Sequence, residues 1–178
     1  MENDICIQTN RLRLICGDNK ILTAATQSNL KLASVLNVHV PPNWTSFGTK
    51  VFHFVLDKIE LNNAKPEWWT YFPILKKEHT LIGCCGYKGA PDENGIVEIG
   101  YEVAPDHRNC GLATEIANAL IKHALNDMSV KSVMAHTLAE TNASTRVLEK
   151  CGMKKVAELS DNLEGQIWRW RYVPQMDE

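Results

Sequence analysis

The segment of residues 108–113 combines residue types that suit an anion-binding site. An arginine, Arg108, is followed three residues later by Gly111 and then by small or apolar residues at the start of an amphipathic helix. A helix N-terminus offers unpaired N–H groups and the positive end of the helix dipole, which attract phosphate. Arg108 would add a fixed charge with forked donors, and Gly111 would let a ligand approach the backbone. The spacing indicates a phosphate site at a strand–loop–helix junction. The alternative is that Gly111 only shapes the loop and that Arg108 is solvated.

Other familiar site motifs do not fit the sequence. No Gly-Lys-Ser/Thr follows Gly111, which excludes a Walker loop, and the G-x-G-x-x-G spacing is not met. The six cysteines include the adjacent pair Cys84 and Cys85 and form no C-x-x-C, so their spacing matches no zinc pattern. We expect reduced, mostly buried thiols and no bound metal. A hydrolase with a cysteine nucleophile is an alternative, but the sequence has no motif that pairs a cysteine with a histidine.

Length and charge limit the classes of function. The 178 residues are most simply one domain, residues 1–178. A net charge of −2 argues against general binding to nucleic acid or to an anionic membrane. The acidic N-terminal segment has no apolar stretch typical of a signal peptide, and no apolar run approaches the roughly 20 residues of a membrane span. We therefore expect a cytoplasmic protein without nucleic-acid or membrane partners.

We call residues 108–113 the phosphate segment. Hydrophobic periodicity predicts the strands and helices that would position it. Strands are expected at residues 5–7, 12–15, 68–75, 80–87, 96–103, 131–138, 156–159 and 166–173. Helices are expected from Asp18 or Asn19, over residues 30–36, near residues 51–59, up to about Asn126, and from Asn142 to Gly152. The helix between the strands at 96–103 and 131–138 makes a crossover connection, so these two strands should be parallel. The order predicts a mixed α/β layer fold.

The phosphate segment also resembles a known signature. Arg108-x-x-Gly111-x-Ala113 is similar to the acetyl-CoA motif of the GNAT N-acetyltransferase superfamily, R/Q-x-x-G-x-G/A. Residues 99–105, IGYEVAP, resemble the strand before that motif, and Thr114-Glu115 follow it as in the Rim-type (RimJ/RimL-like) branch, which acetylates ribosomal-protein N-termini and other amines. Residues 142–153 resemble that branch's N-x-x-S-x-x-x-x-E-K-x-G-F helix, and residues 9–14 its T-E-R-L-x-L start. The resemblance covers residues 9–172. It implies a GNAT fold: a mostly antiparallel twisted sheet with a central parallel pair and helices on both faces.

The resemblance further implies acetyl-CoA as cosubstrate and a set of residues that bind it. The pantetheine arm would run beside the strand end at Tyr101 and Val103, where a bulge frees backbone N–H groups and the Val103 N–H stabilises the thioester oxyanion. Asn142 would bond the same arm, or would only cap its helix. The pyrophosphate would be held by Arg108 and by the N–H groups of Asn109, Cys110, Gly111, Leu112, Ala113 and Thr114.

Amine acetylation needs a neutral amine and a proton source for the departing thiolate. Glu98 is the candidate base, directly or through water, and the alternative is a solvated strand residue. Ser144, which the resemblance places near the sulfur, is the candidate acid, although its hydroxyl could instead satisfy helix backbone. Tyr87 and Tyr101 are further candidates for the acid.

Acceptor recognition is expected from the loop of residues 38–50, which we call the acceptor loop. Trp44 and Phe47 are its candidate contacts, because loops on a rigid scaffold carry specificity. The alternative is that these aromatic side chains cap the core.

Two positions depart from the family pattern. Cys110 stands where a basic or polar residue is common, which removes part of the phosphate attraction, and Asn10 replaces the usual glutamate. The resemblance nevertheless implies transfer of an acetyl group from acetyl-CoA to a primary amine, either a protein N-terminus or a small molecule. The transfer would be direct, in a ternary complex, and the protein a monomer or homodimer. Transfer of another acyl group, or a CoA-binding regulatory domain without catalysis, stays open.

Overall fold

The computed structural model describes residues 6–174, and strands and helices follow one another as predicted. Ile5 of the first predicted strand lies outside the described residues. The strands of this part of the chain are β1 Cys6–Gln8, β2 Leu12–Cys16, β3 Thr70–Leu75, β4 Thr80–Leu81, β5 Gly83–Tyr87, β6 Ile96–Val103, β7 Ser132–Leu138, β8 Lys154–Asp161 and β9 Gly165–Tyr172. The α-helices are α1 Asn19–Gln27, α2 Asn29–Leu36, α3 Lys50–Asn62, α4 Leu112–Leu125 and α5 Ala143–Lys150.

These strands form a single mixed sheet with the order β1-β2-β3-β5-β6-β7-β9-β8, and β4 pairs with β3. The central neighbours β6 and β7 are parallel, and every other pair of neighbouring strands is antiparallel. The parallel pair follows from the α4 crossover, since a strand that returns by way of a helix enters the sheet in the same direction. The predicted fold class, a mostly antiparallel sheet with a central parallel pair, is confirmed.

Helices cover both faces of the sheet, as predicted. On one face α4 packs through Leu112, Ile116 and Leu120 into a core that also contains Leu14 and Val97. On the other face a second core joins buried residues of α1, α2 and α3 to the opposite side of β3. Each large apolar side chain buried in these layers contributes about 1.5–3 kcal/mol, so the two cores together fix the sheet that carries the central strands.

Polar caps set the ends of two helices as the sequence predicts. The Asp18 side chain accepts from the Ile21 N–H at 2.8 Å at the start of α1. Asn142 and Thr145 form a reciprocal capping box at the start of α5. Gly152 follows α5 with φ +78°, a backbone conformation that glycine adopts at little cost.

Two predicted strands are shorter or interrupted. The strand expected from residue 68 begins at Thr70, because Pro66–Trp68 form a 3-10 turn. The strand expected at residues 80–87 is divided into β4 and β5 at Ile82. The Ile82 backbone still joins the sheet, since its N–H donates to Pro73 O at 3.0 Å and its carbonyl accepts from Ala104 N at 2.8 Å.

Candidate functional site

The two central parallel strands separate along their length and leave an opening in the sheet. Pairing between β6 and β7 is confined to Ile96↔Ser132, Val97↔Val133 and Glu98↔Met134. Beyond Glu98, β6 continues beside β5 alone, while β7 continues beside β9. The edges of β6 and β7 that face each other therefore carry backbone groups without a strand partner over their second halves.

The register of β5 and β6 decides which backbone groups face this opening. Lys88 N–H donates to Glu98 O at 3.0 Å, and Ala104 N–H donates to Ile82 O at 2.8 Å. Even-numbered residues of β6 thus direct their backbone groups toward β5. Since backbone groups alternate along a strand, those of Tyr101 and Val103 point toward the opening.

No bulge is needed to expose the Val103 N–H, and the expectation of one is corrected. The pairing of β5 with β6 runs without a shift from Gly83↔Val103 to Tyr87↔Ile99. The separation of β6 from β7 is what leaves these amides unpaired. On the same edge, the Val103 carbonyl accepts from Arg108 Nε at 2.8 Å.

At its wider end the opening becomes a cleft of about 490 Å³ between the β6 terminus and the N-terminal turns of α4 and α5. Gly111 is the N-cap of α4, with φ +77° and ψ +6°, and no side chain caps this helix. The first N–H groups of α4 are therefore available to a ligand at the positive end of the helix dipole. The residues that line the cleft are Tyr101, Glu102, Val103, Arg108, Asn109, Gly111, Ala113, Thr114, Ala143, Ser144, Arg146, Val147 and Lys150.

The cleft carries an excess of positive charge. Arg108, Arg146 and Lys150 line it together with a single carboxylate among its described residues, Glu102. Arg108 donates its Nε–H to the Val103 carbonyl, so its two terminal NH2 groups can donate to a ligand. The sequence analysis missed Arg146 and Lys150, although their spacing of four residues places both on one face of α5.

Cys110, which stands where the family commonly has a basic or polar residue, is not among the residues that line the cleft. Cys110 and Leu112 line a second cavity, of about 650 Å³, on the other side of the loop, together with Lys76 and Lys77. Arg11 reaches into the loop from β2's side and donates from Nη1 to the Cys110 carbonyl at 2.8 Å. The Arg11 guanidinium therefore holds this loop from the side of the second cavity, while it is ion-paired with Glu115 at 2.7 Å.

Glu115 holds Arg11 in place. Its carboxylate accepts from Arg11 Nε at 2.7 Å, from Arg11 N at 2.8 Å and from Thr9 Oγ1 at 2.6 Å. Partial burial alone would raise the pKa of Glu115, but the hydrogen bonds from Thr9 and Arg11 outweigh it and lower that pKa. Two segments that carry the family resemblance, residues 9–11 and Thr114-Glu115, thus contact each other at the start of α4.

Ser144, Tyr101 and Asn142 lie around the N-terminus of α5. Ser144 lines the cleft, and the Tyr101 hydroxyl donates to the Ser144 carbonyl over 3.4 Å. Burial raises the pKa of Tyr101. The Asn142 Oδ1 accepts from the Thr145 N–H at 3.1 Å, so Asn142 is a helix cap, and its amide NH2 is the part that could donate to a ligand.

Glu98 lies where β6 and β7 separate, outside the residues that line the cleft. Its carboxylate is 17% exposed and contacts Lys88 Nζ at 2.5 Å and His136 Nδ1 at 3.0 Å. Arg169 Nε donates to His136 Nε2 at 3.1 Å, so a neutral His136 carries its proton on Nδ1 and donates to Glu98. Glu98 is therefore a partnered carboxylate and not the solvated residue of the alternative interpretation.

Tyr87 lies behind α4, away from the cleft. Its hydroxyl donates to the Leu120 carbonyl at 2.8 Å and contacts His123 Nδ1 at 2.9 Å. Burial raises the pKa of Tyr87. The structure does not support Tyr87 as an acid for the cleft.

The two aromatic candidates of the acceptor loop differ in burial. Trp44 is only 3% exposed, stacks on Phe52 with 5.5 Å between ring centroids, and donates from Nε1 to Asn29 Oδ1 at 3.0 Å. The expectation that Trp44 contacts an acceptor is corrected, because its ring is part of the core. Phe47 is 55% exposed and remains a candidate contact.

The fold is that of an acyltransferase family. Residues 33–154 match the model of the Acetyltransferase (GNAT) domain, so the chain belongs to the GNAT acetyltransferase family. It is 27% identical over 170 residues to the uncharacterized N-acetyltransferase YjdG of Bacillus subtilis (strain 168), covering 95% of this chain and 98% of that protein.

Solved structures share the fold at lower identity. RimL, a ribosomal L7/L12 alpha-N-protein acetyltransferase solved with coenzyme A, superposes with a TM-score of 0.70 and 13% identity over 97% of this chain and 99% of that chain. A GNAT-family acetyltransferase from Bacillus anthracis gives a TM-score of 0.65 and 21% identity over 95% and 98% of the two chains. A chimera of the spermidine N-acetyltransferase SpeG from Vibrio cholerae and hSSAT gives 0.66 and 16% over 92% and 96%.

Proposed function

We propose that this chain transfers an acetyl group from acetyl-CoA to a primary amine by direct transfer in a ternary complex. The observation that carries the proposal is the opening between β6 and β7, which runs from the unpaired backbone edge at Val103 to the uncapped N-terminus of α4. A long ligand with an anionic end and a reactive thioester end fits such an opening. Family membership and the CoA-bound RimL support the same donor.

The basic end of the cleft would hold the phosphates of acetyl-CoA. The N–H groups at the start of α4 and the terminal NH2 groups of Arg108 would contact the pyrophosphate. Arg146 and Lys150 would add charge from α5. We further propose that Arg11, paired with Glu115, holds the loop of residues 108–111 in place through its hydrogen bond to the Cys110 carbonyl.

The part of the cleft between Val103 and Ser144 would hold the reacting groups. The Val103 N–H would donate to the thioester carbonyl and stabilise the oxyanion that forms when the amine attacks. The amine then loses a proton, the C–S bond breaks, and the thiolate of CoA takes a proton. Ser144 is the proposed donor to that thiolate. The Asn142 NH2 group would bond the pantetheine arm.

Glu98 is the proposed base, acting through water. It lies where β6 and β7 separate, five residues and therefore roughly 16 Å of strand from Val103, so a chain of several water molecules along the opening would connect its carboxylate to the attacking amine. Lys88 and His136 would hold the carboxylate in one orientation, because both contact its Oε1 and leave Oε2 for the water.

The chain as a whole is proposed to act as one domain, residues 1–178, without nucleic acid as a partner. Among residues 6–174, none of the helices has the length and apolar character that a membrane span requires. The acceptor is proposed to be either a protein N-terminus or a small polyamine, the two classes that the names of RimL and SpeG represent.

The test is release of free CoA thiol from acetyl-CoA in the presence of a panel of amines. The panel should contain peptides with free α-amino groups, polyamines and aminoglycosides, with product acetylation verified by mass spectrometry. Amine-dependent thiol release and an acetylated amine are the expected result. CoA binding without turnover on any amine would contradict the proposal and would favour a CoA-binding regulatory domain.

A further inference from the structure

Glu102 connects the cleft to the acceptor loop through three hydrogen bonds. Its Oε2 accepts from Thr45 Oγ1 at 2.8 Å, and its Oε1 accepts from the Ser46 N–H at 2.8 Å and from Ser46 Oγ at 2.5 Å. The residues of these bonds are 56 or 57 positions apart in the chain. No role for Glu102 was predicted from the sequence.

The same hydrogen bonds continue to Phe47. The Phe47 N–H donates to Thr45 Oγ1 at 3.2 Å, so this hydroxyl receives one hydrogen bond and donates another. Trp44, immediately before Thr45, is fixed in the core. The backbone of residues 45–47 is therefore held from both sides, and the exposed Phe47 ring follows directly from the part that Glu102 binds.

In the described part of the chain, no ion pair explains the position of Glu102. None of the ion pairs found within residues 6–174 includes Glu102. Its charge is satisfied by hydroxyl and amide donors of the acceptor loop, and hydrogen bonds to a charged group are the stronger kind. Glu102 precedes Val103, whose N–H faces the opening, so the loop is tied to the strand beside the proposed reacting groups.

We propose that Glu102 is a positioning residue that holds residues 45–47 at the mouth of the cleft and thereby determines which amine acceptors bind. The inference rests on the proposed function, since it assigns the specificity of the same site. Glu102 acts through Thr45 and Ser46 on Phe47, and not on the reacting atoms. Loss of these bonds weakens acceptor binding and leaves the chemical step intact.

Thr45→Val is the principal test, because it removes the bonding hydroxyl and nearly keeps the side-chain shape. Thr49→Val is its matched control: it makes the same change at the end of the same loop, where Thr49 is exposed and makes no side-chain capping bond. Thr45→Val should raise the acceptor KM about tenfold, the change expected when one hydrogen bond to a charged group is lost. The kcat and the KM for acetyl-CoA should stay within about twofold of the wild type, and Thr49→Val should change none of the three.

Variants of Glu102 separate positioning from a chemical role. Glu102→Ala should raise the acceptor KM at least as much as Thr45→Val, and Glu102→Gln should restore part of the loss, because its amide oxygen can still accept from Thr45. A fall in kcat in both Glu102 variants, with a normal acceptor KM in Thr45→Val, would overturn the proposal and would mean that Glu102 acts on the amine itself.

Limited proteolysis tests the loop independently of activity. Chymotrypsin cleaves after aromatic residues, and Phe47 is an exposed aromatic residue in the acceptor loop. Cleavage after Phe47, identified by mass spectrometry, should be several-fold faster in Thr45→Val than in the wild type or in Thr49→Val. Equal cleavage rates would contradict the proposal. A wild type that acetylates no amine but shows the expected cleavage pattern would refute the proposed function and leave the role of Glu102 in the loop supported.

Discussion

Substitution of Gly111 by valine separates backbone strain from ligand binding. Gly111 has φ +77°, which L-residues other than glycine rarely adopt, and a Cβ placed on it would meet only Arg11 Nη2, at 3.6 Å. The surrounding protein therefore has room for the side chain, and the cost comes from the backbone conformation. The left-handed region costs about 1–2 kcal/mol for an ordinary residue, and a β-branched residue lies at the upper end of that range.

The effect on CoA is expected to be larger than strain alone would cause. Gly111 lines the cleft at the N-terminus of α4, so the valine methyl groups would keep the pyrophosphate from the first amides of the helix. Loss of one hydrogen bond to a charged group costs about 1.5–3 kcal/mol, which corresponds to at least a tenfold weaker Kd. Isothermal titration calorimetry with CoA measures the affinity, and urea unfolding measures the stability.

Gly165→Val is the matched control for this variant. Gly165 has φ +78° and no atom within 4 Å of an added Cβ, but it lies at the start of β9, away from the cleft. Both variants should lose about 1–2 kcal/mol of stability, and only Gly111→Val should lose CoA affinity. If both variants bind CoA as the wild type does, the phosphates do not lie at the N-terminus of α4.

Three further substitutions test other parts of the site. Cys110→Arg should change CoA affinity by less than about fivefold, because Cys110 lines the second cavity and is not among the residues that line the cleft, and exposed ion pairs contribute only about 0.2–1 kcal/mol; a tenfold tighter Kd by calorimetry would show that residue 110 contacts the phosphates. Glu98→Gln should lower the rate most at neutral pH and recover partly as pH rises, because solvent then deprotonates the amine, whereas pH–rate profiles parallel to those of the wild type would leave Glu98 without a role as base. Glu115→Gln should cost about 1 kcal/mol of unfolding free energy at pH 7. Its pKa is lowered in the folded state, so this contribution is present above the ordinary value of 4.5 and is lost as pH falls below it; a loss in urea unfolding that is equal at pH 7 and at pH 3 would contradict that assignment.

The strands and helices around the cleft could be predicted because each is specified by residues close together in the chain. The crossover helix predicted the parallel pairing of β6 with β7, and Asp18 and Asn142 predicted the starts of α1 and α5. The phosphate segment combined a positive-φ glycine with a helix start, and both of these features depend on neighbouring residues alone.

Contacts between distant parts of the chain could not be predicted in this way. Arg11 reaches Glu115 across 104 positions, and no periodicity of either segment indicates that pairing. Glu102 binds a loop that has no periodic pattern, and the same lack of pattern left two interpretations of Trp44 open, of which the structure supports burial in the core. Arg146 and Lys150 are different, since both lie within the helix predicted for residues 142–152, and their spacing of four residues places them on one face of it.

The central claim is that acetyl transfer occurs directly between acetyl-CoA and an amine that occupy the site together. Initial rates of thiol release, measured while both substrates are varied, test this claim most directly. Direct transfer predicts double-reciprocal lines that intersect, no acetyl group on the protein by mass spectrometry, and rates that depend on the amine. Parallel lines with an acetylated protein intermediate, or thiol release that does not depend on the amine, would contradict it.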